Sequence, residues 1–226
     1  MATKINKYIL LSAVIVLTLM FSCNCTKNEY NLPVYMGLLY PISITPANDT
    51  IQVGDTLWVN IDISDTLFDI GTQKKYYLPN CNFLDYLSVK RLSNNTKDVG
   101  GQEYANDKFY SKGIIGTMKN TGAFSIDFTP IYENHRYKLN GFIITRDTGV
   151  FVFRCQNFSF GNRIPQINLG KNKDGHQLLA LFGATAYLIN NGNTHYSIFL
   201  QHCKQENTLN PTEWTEDKFA YTFVVK

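Results

Sequence analysis

The 226-residue sequence lacks the short patterns that announce a reaction. It has no Gly-x-Ser-x-Gly, no His-Glu-x-x-His and no Gly-x-x-x-x-Gly-Lys, so the nucleophile elbow, the zinc helix of metalloproteases and the phosphate loop are not expected. Cys-x-x-Cys is missing too, and the four histidines, His135, His176, His195 and His202, are scattered, which excludes the usual structural zinc spacings. Excess charge of either sign is small. There are 21 basic and 18 acidic residues, and the basic ones form no runs. That gives no electrostatic case for nucleic acid or for a polybasic lipid patch. Long apolar runs are scarce: the clearest, Ile9 to Phe21, is about thirteen residues, short of the roughly twenty that a spanning helix needs.

That run sits where a secretory leader would. Lys4 and Lys7 precede it and Ser22-Cys23 follows, the order of a basic, an apolar and a cleavage region. Leu19-Met20-Phe21-Ser22-Cys23 resembles a bacterial lipobox, whose cysteine thiol receives diacylglycerol. The resemblance implies that residues 1–22 form a lipoprotein signal peptide, that Cys23 is lipidated, and that the protein is an outer-membrane lipoprotein of the cell envelope, on its periplasmic or its surface face. A plain secreted protein is the alternative. Buried acyl chain contributes roughly 0.8 kcal/mol per CH₂, so two or three chains make a lasting anchor.

Four other cysteines remain, Cys25, Cys81, Cys155 and Cys203. An oxidising compartment allows them two bridges. Cys155 and Cys203 each close a predicted strand, so a bridge between them is the first expectation. Cys81 then pairs with Cys25 or stays a thiol. Unpaired buried thiols are the alternative for all four.

Hydrophobic residues make up 44% of the chain, enough for a real core. Residues 23–37 read as a tether, and strands follow. Ile42 and Ile44 alternate with polar residues between Pro41 and Pro46, which suggests a short edge strand. Thr56 to Ile63 has Leu57, Val59, Ile61 and Ile63 on one face, with Trp58 on the other: a half-buried strand. Lys75–Leu78, Tyr86–Leu92 and Phe124–Thr129 are further strands. Arg136–Ile144 and Gly149–Cys155 look like a hairpin across Arg146-Asp147-Thr148. The polar stretch Ser93–Gln102 is a loop.

Tyr40-Pro41-Ile42-Ser43-Ile44, then Ile51-Gln52-Val53-Gly54-Asp55-Thr56-Leu57-Trp58-Val59, resemble the opening of immunoglobulin-like domains in bacterial surface lipoproteins. Tyr137-Lys138-Leu139 and Asp147-Thr148-Gly149-Val150-Phe151 are similar to that domain's closing hairpin. The resemblance implies an all-β, immunoglobulin-like antiparallel sandwich over residues 38–155, and it says little about activity. Residues 156–226 are expected to be an extension packed on the sandwich. There, Gly175–Ile189 is a helix or a buried strand, with its length favouring a helix. His195–Gln201 reads as a strand, and Phe219 to Val225 as another.

Candidate chemistry is sparse. Asp62, Asp65 and Asp69 cluster, but their spacing matches no calcium loop, so solvated turn residues are the simpler reading. His202-Cys203 lie on opposite faces of any strand and make no dyad. Trp58 and Trp214 fall in polar contexts and suggest a surface for a glycan or a protein; cover over Trp58 by the extension is the alternative. Asp49-Thr50-Ile51, Asp55-Thr56-Leu57 and Asp65-Thr66-Leu67 resemble the acceptor triplet of a bacterial O-glycosylation system, which implies Thr50, Thr56 and Thr66 as candidate acceptors. No catalytic residue, metal or cofactor is expected. The expected function is a lipid-anchored, non-enzymatic binding module for a glycan or an envelope protein. The alternatives are a surface-filament or assembly subunit joined by strand exchange, and a hydrolase with dispersed residues.

Overall fold

The computed structural model describes residues 32–81, 83, 85–92, 102–157, 167–171, 173–202 and 218–226. The chain divides into two compact units, Val34–Ile167 with Ala180–Lys226, and Met1–Pro33 with Asn168–Leu179. The strands, in chain order, are β1 (Leu32–Thr45), β2 (Thr50–Ile51), β3 (Thr56–Ser64), β4 (Thr66–Asp69), β5 (Lys74–Tyr77), β6 (Asp85–Leu92), β7 (Gln102–Tyr104), β8 (Phe109–Ile115) and β9 (Thr117–Thr121). They continue as β10 (Ser125–Thr129), β11 (Ile131–Glu133), β12 (Arg136–Thr145), β13 (Gly149–Asn157), β14 (Ile167–Lys171), β15 (Gln177–Ile189) and β16 (Ala220–Val225). Among the described residues a short α-helix, α1, spans Tyr196–His202.

In the larger unit the strands form an all-β sandwich. The first sheet runs β11-β12-β3-β1-β15, with β8 on β12, β4 on β1 and β5 on β4. The second runs β2-β16-β13-β6-β10-β9, with β7 on β6. β3 pairs antiparallel with β1 and β12, and β13 pairs antiparallel with β6 and β16, whereas β2 lies parallel to β16. Period-two alternation decides which side chains point inward. Leu57, Val59 and Ile61 of β3 are buried, as are Tyr137, Leu139 and Ile143 of β12; from the second sheet Leu87, Val89, Phe151, Phe153 and Phe223 are buried. The sheets meet through aromatic edges. The Phe109 ring of the first sheet lies 4.9 Å from Phe151 and 5.3 Å from Phe153 of the second, near-perpendicular to both. That is the favoured geometry for ring quadrupoles.

Several expectations are corrected here. β1 is longer than expected and lies between β3 and β15, so it is no edge strand. Pro41 points outward while Tyr40, Ile42 and Ile44 are buried, and that inward set holds the strand in the sheet despite one missing N–H. β12 and β13 belong to opposite sheets and form no hairpin. Each carries its own inward apolar set, so the short Arg146–Thr148 connection arches from one layer to the other. Gln177–Ile189 is a strand, not a helix, and the helix stands instead at Tyr196–His202, where a strand was expected. Phe199 of α1 is buried with Leu92, Val152 and Ala220 on the outer face of the second sheet. The region after residue 155 therefore contributes β15 to one sheet and β16 to the other.

The smaller unit holds most of β14 and the opening of β15, which are neighbouring strands. Among the described residues no helix is long and apolar enough to cross a membrane.

Candidate functional site

The second sheet presents a groove on its outer face. β6 sends Asp85, Leu87 and Val89 inward, so Tyr86, Ser88 and Lys90 face out. Register then brings distant residues together. Tyr86 stands between Asp127 of β10 and Gln156 of β13, and Ser88 between Ser125 and Arg154. β7 pairs Tyr104 with Lys90, and Phe124 precedes β10. The result is an open groove of about 280 Å³ lined by Tyr86, Ser88, Tyr104, Phe124, Ser125 and Gln156.

The Tyr104 and Phe124 rings meet edge to face at 4.5 Å and are 53% and 56% exposed. The Lys90 ammonium lies 5.4 Å from the centre of the Tyr104 ring. Tyr86 Oη hydrogen-bonds to Gln156. With the Gln156 amide nitrogen toward Tyr86, its oxygen accepts from Arg154 at 3.1 and 3.2 Å. Ser125 Oγ donates to Asp127 Oδ1 at 2.9 Å. Partial burial pushes the Tyr86 phenol up, against the pull of Arg154, so it stays protonated. Apolar ring surface beside hydroxyl, amide and guanidinium groups suits a ligand with an apolar face and polar edges.

Trp58 stands where its alternation puts it, 40% exposed on the outer face of the first sheet, its ring edge-on to Phe142 at 5.6 Å. Thr66 is exposed, and Thr50 and Thr56 are half-buried at their strand ends. Cys155 is a buried free thiol facing the core, and burial raises its pKa far above that of an ordinary thiol. Its expected partner Cys203 lies outside the described residues, as do Cys23, Cys25 and Trp214. Cys81 is a half-buried free thiol.

Asp62, Asp65 and Asp69 do not converge, and no metal-binding group of three forms among the described residues. Two of the three are buried rather than solvated. Asp69 accepts from Gly37 N at 2.8 Å, Thr72 N at 2.7 Å and Thr72 Oγ1 at 2.6 Å. Burial opposes its ionisation, but these donors win and hold the carboxyl below the usual range. Asp65 likewise accepts from Tyr132 Oη at 2.7 Å and pairs with His135 Nδ1 at 3.0 Å. His135 and Asn134 form the two-residue turn between β11 and β12, both with positive φ, as a type I′ hairpin requires. The imidazole is 77% exposed. No hydroxyl or thiol hydrogen-bonds to His135 among the described residues, so the pair anchors a turn and makes no nucleophilic triad.

A third buried acid escaped sequence reasoning entirely. Asp85 is 1% exposed. Its Oδ1 accepts from Tyr187 Oη of β15 at 2.5 Å, across the core. Tyr40 of β1 faces the same carboxyl, yet Asp85 Oδ2 and Tyr40 Oη each lack a hydrogen-bond partner among the described residues. Burial pushes Asp85 up to about 7, against the pull of the Tyr187 and Tyr40 hydroxyls. No family model, curated protein or solved structure matches this chain, so its function has to be argued from these side chains.

Proposed function

We propose that the protein is a lipid-anchored component of a bacterial cell envelope that binds glycan, without turnover, in the Tyr86–Tyr104–Phe124 groove. The observation that carries this is the groove's mixture: two exposed rings beside Ser88, Ser125, Gln156 and Tyr86. A pyranose offers a C–H face to a ring and hydroxyls at its rim, which is what this mixture complements. The lipobox-like segment ending at Cys23 supports the anchor, and the two facing sheets support the immunoglobulin-like reading of the fold.

The test is binding of neutral polysaccharides, such as dextran, β-glucan and mannan, to the wild type and to a Tyr104→Ala/Phe124→Ala variant. Both rings are exposed, so the fold should survive their loss. At least one of these polymers should bind wild type and bind the variant about tenfold more weakly, the effect of about 1.4 kcal/mol. Equal binding by both, or none at all, would refute the groove. Incorporation of a fatty-acid analogue should be lost in Cys23→Ala; undiminished labelling would remove the anchor.

A further inference from the structure

The outer face of the first sheet carries an ordered surface that is separate from the groove. Cross-strand register sets Thr45, Trp58, Phe142 and Lys112 side by side across β1, β3, β12 and β8. All four point away from the core, because their neighbours Leu57, Ile143 and Ser111 are buried. The adjacent outward row pairs Asn60 with Asn140, whose amides hydrogen-bond to each other. On the other side of the aromatic row Tyr110 lies 6.2 Å from Phe142, and the Arg146 guanidinium lies 5.2 Å from the Tyr110 ring centre. The face is therefore a band of rings, a band of amides, and two cations at one margin.

The charges on this face are unevenly matched. At the far end Asp62 accepts from Arg136 at 2.5 Å and Glu133 from Lys138 at 3.3 Å, so those groups neutralise each other. Near Arg146, Asp147 is shared by Arg91 and Lys108, and Lys108 also holds Asp107. Neither Lys112 nor Arg146 has a carboxylate partner among the described residues. The two unmatched cations border the rings, and each amide of the Asn60–Asn140 pair keeps hydrogen-bonding capacity beyond that one contact.

We propose that this face binds an acidic polysaccharide, a chain of carboxylate-bearing sugar rings. One ring lies on Trp58, its hydroxyls meet Asn60 and Asn140, and its carboxylates meet Lys112 and Arg146. A continuous band of rings and amides suits a polymer, and two cations without a carboxylate partner among the described residues select an anionic one. This site is independent of the groove, and its probe differs.

The experiment measures binding of the purified protein to immobilised polygalacturonate, with dextran as the neutral control, at low and high salt. Wild type should bind polygalacturonate, and added salt should weaken it, since exposed charges are screened. Trp58→Ala should bind about tenfold more weakly. Trp58→Phe should retain most binding because it keeps a ring. Lys112→Glu/Arg146→Glu should lose both binding and salt dependence, and Tyr104→Ala/Phe124→Ala should bind like wild type. No binding to polygalacturonate, binding unchanged by Trp58→Ala, or binding that follows Tyr104 and Phe124 would each overturn the proposal. Circular dichroism matching wild type would show that these exposed substitutions leave the sandwich folded.

Discussion

Replacing Asp85 by Asn should abolish most of the pH dependence of stability between pH 4.5 and 7.5. An ordinary aspartate loses its proton near 3.8, whereas Asp85 in the folded protein keeps its proton to about 7, because burial disfavours the charged form more than Tyr187 and Tyr40 favour it. Between those values the folded chain holds a proton that the unfolded chain has released. Stability therefore falls as pH rises, by about 1.4 kcal/mol per pH unit. The contribution is complete below pH 4 and lost by the time pH has passed 7, a swing of about 4 kcal/mol. That is a large part of the roughly 5–15 kcal/mol that holds a domain together. Asp65 and Asp69 are held below the usual range. Their effect has the opposite sign and lies at and below the usual carboxylate range, and subtracting the Asp85→Asn curve from the wild-type curve cancels every titrating group the two proteins share. In Asp85→Asn the amide oxygen still accepts from Tyr187 and the amide nitrogen gives Tyr40 Oη a donor. The variant should match wild type near pH 4 and exceed it by about 4 kcal/mol near pH 8. Urea unfolding followed by far-ultraviolet circular dichroism across this range measures both. Parallel curves for the two proteins would refute the argument, since they would show that Asp85 is charged and well solvated in the fold.

Two further substitutions probe the sandwich itself. Gly116, between β8 of the first sheet and β9 of the second, has φ +73, and a Cβ there would lie 2.6 Å from the Thr129 carbonyl oxygen; Gly116→Ala should cost at least about 1–2 kcal/mol for the left-handed backbone, seen as a lower urea midpoint, and an unchanged midpoint would contradict that backbone conformation. Phe109→Ala removes a ring that touches Phe151, Phe153 and Phe223 and should cost about 3–5 kcal/mol, measured in the same way; a loss under about 1 kcal/mol would mean that the sheets do not meet there.

The strands with one clean buried face were legible in the sequence. Thr56–Ser64 alternates because one side meets the core and the other does not, and Ala220–Val225 was legible from its aromatic and β-branched residues although both of its faces are covered. Gln177–Ile189 misled because a continuous apolar run satisfies a buried strand and a buried helix alike, and its length favoured the wrong one. Tyr196–His202 misled in the opposite way: seven residues with apolar positions at Tyr196, Ile198 and Leu200 fit alternation, but burial selects Tyr196 and Phe199, three apart. The Arg146–Thr148 connection is short enough for a hairpin, and only the second strand's own inward set, Phe151, Phe153 and Cys155, sends it to the other layer. Trp58 was found because it breaks the polar side of a strand. The groove was not, since Tyr86, Tyr104, Phe124 and Gln156 become neighbours only through register. Asp85 was invisible for the same reason: an acid at a strand's first position looks solvated until β15 brings Tyr187 over it.

The parallel pairing of β2 with β16 has a kinetic meaning. Tyr221 Oη reaches the Asn48 carbonyl at 3.0 Å across 173 positions of chain. Val53 N likewise reaches the Lys226 carbonyl at 2.9 Å. Contacts between such remote segments must form against the entropy of a very large loop, and nothing local can prepare them. This makes assembly slow and cooperative, with β13 uncovered along one side until β16 arrives. During that interval Phe151 and Phe153 lack the Phe223 ring that closes over them, and the nascent body is at its most vulnerable to sticking to its own copies.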